Sequence, residues 1–312
     1  MAPLPKPHSP TVEAILAAYE SDSRDGFRPH LGASLIGKEC ERALWFDFRW
    51  TTRSQFSGRM LRLFETGQLE ENRFVRNLRR TGATVLDVDP QTGRQWRVAA
   101  CDGHFGGSLD AAAVGILEAP KTWHVCEFKT HNASSFAELR KEGVKKAKPQ
   151  HYAQMQIYMH LTGMSRALYL AVNKDCDDLY SERVRADEAE ALRLLAKAER
   201  IIRAERPPMG VSVDPSWYQC RMCNHHPVCH EGQSVERNCR TCLHSTPAQH
   251  GLWVCSPIER LLVIDEQKAG CTAHLFIPDL VAGEQVDADP KGGWVEYRLR
   301  DGSLWRDGGM PC

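Results

Sequence analysis

The chain has 312 residues, 42% of them apolar and 26% charged, with Lys+Arg and Asp+Glu balanced at 40 each. At roughly 150 residues per domain this length suits two units, or one large unit with an appendage, and the composition excludes a largely disordered polymer. No apolar run approaches the ~18 residues of a membrane span, and the opening MAPLPKPHSP lacks the apolar core of a secretory signal, so a cytoplasmic location is expected. Zero net charge leaves any nucleic-acid surface to local patches.

In chain order, an amphipathic helix is expected near 11–21 and a second over 35–49, where Leu35, Ala43, Leu44, Phe46 and Phe48 are interspersed with Arg42 and Arg49. From 57 to 80, Leu61, Phe64, Leu69, Phe74 and Leu78 fall near helical spacing, with Gly67 as the weak point. Antiparallel-looking strands follow at 84–88, 94–101, 106–116 and 122–130, the last two joined by turn residues at 118–122. Helices fit 134–143 and 150–163, strands 166–172 and 179–184, and a strongly amphipathic helix 187–206, acidic at its start and basic at its end. This order implies an α/β fold, a mixed sheet flanked by helices. After 232 the helical pattern fades and Cys, His, Trp and Gly dominate. The chain therefore divides into 1–232 and a small Cys-rich module, 233–312, whose end reads as a β-hairpin around Asp301-Gly302.

Three constellations carry chemistry. Asp110 ends GGSLD, while Glu127 and Lys129 stand two apart in CEFK and so share a strand face. Two carboxylates and a lysine make a poor core and a good seat for a hard cation such as Mg²⁺, with the lysine beside a water or a phosphate. Their bland alternative is a surface ion pair on an edge strand.

The cysteines are the second signal. There are twelve, seven of them between Cys220 and Cys271, and in a reducing compartment such clusters favour metal over disulfides. Cys220-x2-Cys223-x5-Cys229 needs a fourth ligand, either His225, His226 or His230 nearby, which would suit zinc, or the distant Cys40. Cys239-x2-Cys242-x12-Cys255-x15-Cys271 is a separate four-thiolate set fit for a structural Zn²⁺, with His244, His250 and His274 as substitutes. Cys101, Cys126 and Cys176 read as small buried apolar residues.

Third, Arg140, Lys141, Lys145, Lys146 and Lys148 form a basic run suited to phosphate, or else a solvated face. His131 lies two residues beyond Lys129, whereas His30, His124 and His151 read as structural.

Gly-Ser-Leu-Asp110, a hairpin, Glu127-Phe128-Lys129 and a following helix together resemble the core of the PD-(D/E)XK nuclease superfamily. Gln154-x3-Tyr158 is similar to the Q-x-x-x-Y element of its RecB-like branch, and Gly67-Gln-Leu-Glu70-Glu71 to its first-helix motif. The resemblance implies a restriction-endonuclease-like fold and phosphodiester hydrolysis by a water activated by Mg²⁺ or Mn²⁺. It implies a metal held by Asp110, Glu127 and the main-chain carbonyl of Phe128, with Glu71 as a further acid where many relatives carry His. Lys129 would position the water, and Gln154 and Tyr158 would reach the metal site and the DNA backbone.

Cys40 with the later C-x2-C-x5-C resembles the iron–sulfur nucleases, including AddB-type helicase–nuclease subunits and CRISPR-associated adaptation exonucleases. The implied group is a [4Fe-4S] cluster on Cys40, Cys220, Cys223 and Cys229, stapling the N-terminal helix to the end of the core. Residues 235–312 carry a looser resemblance to zinc-bearing tails of phage and prophage nucleases. The whole implies an exonuclease on single- or double-stranded DNA ends in recombination or replication, with room for a recombination partner protein and for oligomers. Two alternatives are a catalytically silent DNA-binding scaffold and an Fe-S- or zinc-based redox-sensing regulator.

Overall fold

The computed structural model describes residues 9–22 and 26–309; most of the Pro-rich start and Cys312 lie outside them. The first elements are α1 (Pro10–Ser21), β1 (Leu31–Gly32), α2 (Glu41–Arg49) and α3 (Gly58–Arg80). Strands β2 (Thr84–Leu86), β3 (Arg97–Ala100), β4 (Phe105–Ser108), β5 (Ala111–Val114) and β6 (His124–His131) follow. Then come α4 (Ala133–Ala147), α5 (Pro149–Thr162), β7 (Arg166–Asn173), β8 (Leu179–Arg185), α6 (Glu188–Arg203) and the short α7 (Tyr218–Arg221).

The central sheet has five strands in the order β2-β5-β6-β7-β8. Its hairpin between β5 and β6 is antiparallel, as the turn residues predict. The next pairing makes the sheet mixed, as the order of elements implies: β6 and β7 run parallel, in register from Val125↔Ala167 to His131↔Asn173. A parallel pair needs a crossover, and α4 with α5 supplies it. One sheet face, through Cys126, Phe128 and Leu168, packs on Phe74 and Val75 of α3. The other, through Val125, Ala167 and Tyr169, packs on Phe136, Met155 and Met159 of α4 and α5. Helices on both faces of a mixed sheet are thus the observed architecture.

Other boundaries shift for local reasons. The helix expected from 35 begins only at Glu41, behind Cys40 as N-cap. The stretch before it turns tightly against α5, and a Cβ on Gly37 would lie 2.7 Å from the Gln150 Cα. The strand expected over 106–116 is two strands in two sheets: β4 joins β1 and β3, while β5 joins the central sheet, and Asp110 falls in the break. The helix expected over 134–143 continues to Ala147 past a break at Gly143, where Glu182 accepts the Val144 N–H. Cys176 is exposed rather than buried.

Beyond α7, β9 (Ser245–Pro247), β10 (Trp253–Cys255) and β11 (Arg260–Leu262) form one small sheet, followed by α8 (Ile264–Ala269). The expected terminal hairpin is present as β13 (Trp294–Leu299) and β14 (Leu304–Gly308), and β12 (Gly283–Asp289) adds a third strand. Trp253, Leu262, Ile277 and Leu280 belong to the same apolar core as Trp45, Phe48 and Phe105.

Helix α1 buries none of its residues. It is held where Gly58 lets the Leu16 backbone approach, since a Cβ there would stand 2.1 Å from the Leu16 carbonyl oxygen. Gly58→Ala should therefore release α1 while leaving the core transition nearly unchanged. Hydrogen exchange of residues 10–21 checks this, and protected amides in the variant would contradict it.

Candidate functional site

The site grows from the break between two sheets. Where the chain passes from β4 to β5, the Asp110 carboxylate swings beside β6 and accepts the Phe128 N–H at 2.8 Å. This bond leaves the Phe128 carbonyl on the site side, where it accepts from Lys129 Nζ at 3.0 Å. The ammonium also contacts Glu127 and lies 3.9 Å from Asp110 Oδ2. The Glu127 side chain is fully buried, and among the described residues its carboxylate meets no donor besides the Lys129 ammonium. Such a group is costly unless something charged compensates it.

The electrostatics follow. Burial pushes the Glu127 carboxyl up to about 8 against the pull of Lys129, with Asp110 and Glu71 adding to the rise. Burial alone would lower the Lys129 ammonium, but Glu127, Asp110 and Glu71 outweigh it and hold the pKa above its ordinary value. Glu71, half-buried on α3, is pushed up to about 7 by desolvation and then by Asp110. Its neighbour Glu70 is turned to Arg73, 3.2 Å away. The structure therefore brings Asp110, Glu127, the Phe128 carbonyl, Lys129 and Glu71 together. Carboxylates and a carbonyl side by side have the donor chemistry that a hard divalent cation takes, although among the described residues no group of three or more is arranged to hold one.

Gln154 and Tyr158 share a face of α5, where Gln154 Nε2 donates to the Tyr158 hydroxyl at 3.3 Å. Both are buried. The tyrosine hydroxyl lies under β4, and a Cβ on Gly107 would stand 2.4 Å from it. Burial and then the Glu127 charge raise this phenol above its ordinary pKa. Three residues without a motif also flank the site. Tyr169 sits opposite Glu127 in the β6–β7 register, and its hydroxyl meets His131 Nε2 at 2.9 Å and His151 Nδ1 at 2.8 Å. Burial pushes His131 down to about 4 and His151 to about 3, so both rings are neutral. Nothing in RALYLAV marks Tyr169, because its placement depends on the parallel register.

The basic run surrounds α4 and each of its members has an acid nearby. Lys148 meets Glu138 at 2.7 Å, Arg140 meets Asp178 at 3.6 Å, Lys145 meets Asp187 at 3.8 Å, and Lys141 and Lys146 both meet Glu142.

Cys40, Cys220, Cys223 and Cys229 line one cavity with Arg42, Ala43 and Phe46. Arg42 Nη1 lies 3.6 Å from Cys229 Sγ and its Nε donates to the Pro208 carbonyl at 2.8 Å. His225 is engaged elsewhere, by Thr52 Oγ1 at 3.1 Å and Asp47 Oδ1 at 3.0 Å. His226 faces Glu231 at 3.1 Å. His225, His226 and His230 line the same cavity, so four thiols and three imidazoles face it. Among the described residues, however, no group of three or more His, Cys, Asp or Glu is arranged so as to hold a metal ion directly.

No family model matches the chain, and no curated protein matches it. Among solved structures it is similar to an alkaline exonuclease, LHK-Exo, from Laribacter hongkongensis, at 18% identity and TM-score 0.39, over 61% of this chain and 90% of that one. The same enzyme in complex with dAMP gives 19% identity and TM-score 0.41 over the same shares. SSO0001 matches at 14% identity and TM-score 0.42, over 71% of this chain and 96% of that one. Likenesses at these TM-scores are too distant to carry a statement about activity.

The buried acids predict a pH dependence. The folded-state pKa of Glu127 lies above its ordinary 4.5, so its contribution to stability is complete below that value and is lost as pH rises through about 8. Glu71 acts in the same sense up to about 7. With divalent cations chelated, the melting temperature should fall across this window, and Glu127→Gln should remove most of the fall. Scanning calorimetry of both proteins over the window tests this; parallel profiles would show that Glu127 is ionised throughout.

Proposed function

We propose that the chain is a metal-dependent deoxyribonuclease of the PD-(D/E)XK superfamily, RecB-like branch, acting on DNA ends. The observation that carries this reading is the convergence of Asp110, the buried Glu127, the Phe128 carbonyl and Lys129 at one sheet break. Among the described residues no helix is long and apolar enough to cross a membrane.

In this reading Asp110, Glu127 and the Phe128 carbonyl hold Mg²⁺ or Mn²⁺, with Glu71 as a further acid. The cation supplies the Lewis acidity that makes water a better nucleophile and offsets phosphate charge. Lys129 stays protonated because three acids surround it, so it acts as a hydrogen-bond donor that orients the attacking water and not as a base. Asp110 fixes the strand through the Phe128 N–H, which keeps the carbonyl aimed at the site. Gln154 holds the Tyr158 hydroxyl against β4, and this pair backs the acids from below. Arg140, Lys141, Lys145, Lys146 and Lys148 exchange their exposed acid partners for backbone phosphates. Surface ion pairs are worth only about 0–1 kcal/mol, so the exchange is cheap, and binding should weaken steeply with salt.

Cys40, Cys220, Cys223 and Cys229 hold a [4Fe-4S] cluster in the same reading, tying the start of α2 to the segment after α6. Cys239, Cys242, Cys255 and Cys271 hold structural zinc. Cys220→Ser should lose the brown colour and the iron of anaerobically purified protein, together with solubility. A colourless wild-type protein, or a variant that keeps its iron, argues against the cluster.

The deciding assay uses end-labelled linear and closed circular DNA, single- and double-stranded, with Mg²⁺. Loss of linear DNA alone, abolished by Asp110→Ala, Glu127→Ala or Lys129→Ala in folded protein, is the expected outcome. Cutting of circles makes it an endonuclease of the same chemistry. Full activity in the variants refutes the site, and DNA binding without cleavage refutes the enzyme.

A further inference from the structure

The outer face of the small β1-β4-β3 sheet carries small residues and two arginines that meet no acid. The register fixes which residues share that face. β1 pairs with β4 at Leu31↔Phe105 and Gly32↔Gly106, and β4 with β3 at Gly106↔Ala99, Gly107↔Val98 and Ser108↔Arg97. Strand alternation then sorts them. Leu31, Phe105 and Val98 pack into the core, and Gly107 lies over the Tyr158 hydroxyl. Gly32, Gly106, Ser108, Ala99 and Arg97 are left for the opposite face, where Ala99 and Arg97 are exposed and Ser108 is half-buried.

Arg28 joins this face from the segment before β1. Its guanidinium lies over Gly32, where a Cβ would strike it, and Nη1 donates to the Ser34 hydroxyl at 3.2 Å. Among the described residues neither Arg28 nor Arg97 pairs with a carboxylate. The half-buried His30 registers the charge of both. Burial first, and then Arg97, Arg28 and Arg240, push its imidazole down to about 4, and no acid opposes them. The basic run around α4 differs, because each of its members has an acid nearby.

The face adjoins the acid site. Ser108 is two residues from Asp110, and the ladder runs on to Leu109, whose N–H donates to the Trp96 carbonyl at 2.9 Å. With no side chain at Gly32 and Gly106, and only a methyl at Ala99, a sugar–phosphate backbone can lie close over the strands. Guanidinium forks and hydroxyls hold phosphate oxygens well and fix a strand in place without reading its bases. A strand whose scissile phosphate sits beside Asp110 carries further negative charge to either side, and this acid-free cationic face complements it.

We propose that the outer face of the β1-β4-β3 sheet holds the DNA backbone beside the scissile phosphate, with Arg28 and Arg97 on the phosphates of one strand and Ser34 and Ser108 adding hydroxyl donors. The proposal rests on the nuclease reading of Asp110, Glu127 and Lys129, and deepens it by naming where the strand runs. Both arginines are positioning residues, since they act through the bound strand.

Anisotropy titrations of a fluorescein-labelled oligonucleotide over a salt series, with Ca²⁺ in place of Mg²⁺ to prevent cleavage, test this. Arg28→Gln and Arg97→Gln should each bind more weakly and lower the steepness of log K against log salt by about 0.7–0.9, the share of one phosphate contact. Arg28→Lys and Arg97→Lys, which keep the charge, should retain the wild-type slope. So should Arg300→Gln, in the turn between β13 and β14. Ala99→Glu removes no contact and adds an acid to the face, so it should also weaken binding. Unchanged slopes in both glutamine variants overturn the face alone, provided that the wild type cleaves DNA with Mg²⁺ and Asp110→Ala does not. Lysine variants that lose as much slope as the glutamine ones overturn it too. A wild type that neither binds nor cleaves DNA overturns the nuclease reading and the face with it. Should the glutamine variants fail to fold, Ala99→Glu decides: wild-type affinity in that variant overturns the proposal.

Discussion

A fully buried carboxylate, met by one ammonium, sits in the middle of the central sheet, and much of the neighbouring architecture follows from it. Glu127 is flanked in sequence by Cys126 and Phe128, which face α3 and need an apolar partner. Strand alternation then forces Glu127 towards the opposite, equally covered face. It is placed in the interior by the need of its neighbours, and only Lys129 on the same strand offers it a positive charge. The parallel β6–β7 pair brings Tyr169 opposite it, and the sheet break brings Asp110 to its side. An arrangement that concentrates acids in a desolvated place is costly for folding, and that cost is characteristic of sites that exist for chemistry.

The break between β4 and β5 is the complementary constraint. Had the strand run unbroken from 106 to 116, Asp110 would project from a regular ladder and could not accept the Phe128 N–H. Leaving one sheet for the other frees its carboxylate to bond the β6 backbone, which in turn aims the Phe128 carbonyl. Gly107 belongs to the same device. It lets the Tyr158 hydroxyl come close under β4, so that the helix following the crossover supports the strand that delivers Asp110.

How much of this was legible in the sequence depends on whether the signal was local. The spacing of Glu127 and Lys129 is a strand-face rule, and Gln154 with Tyr158 a helix-face rule, so both pairs meet as their spacing requires. Gly163 ends α5 as expected because a left-handed C-cap favours glycine. The break at Asp110 was not legible, since SLDAAAV keeps small and apolar residues on both sides of it and no turn signal separates the sheets. The parallel register was hidden too, because it belongs to a crossover of two helices rather than to either strand. The burial of Arg49 and Arg240 contradicts what their residue type suggests. In WFDFRW an arginine between aromatics reads as a surface residue, and only the meeting of α2 with Trp253, some two hundred residues later, shows it enclosed.

The two anomalies have opposite sign and lie at opposite ends of one argument about charge. At the sheet break, acids outnumber the single ammonium among them; at the seam between α2 and the cysteine turn, two guanidinium groups meet no acid. In an interior of low polarizability neither imbalance is tolerated without compensation. Aromatic faces soften the second, but a cation–π contact contributes only about 1–2 kcal/mol even when desolvated, less than the several kcal/mol of burying a charge. At the acid site the Lys129 ammonium and the raised pKa values of Glu127 and Glu71 supply that compensation, because protonation removes the excess negative charge. The first is left partly open to solvent at Lys129 and Glu71, so water can share in its compensation, while the second is closed by tryptophans and depends on aromatic faces and carbonyls.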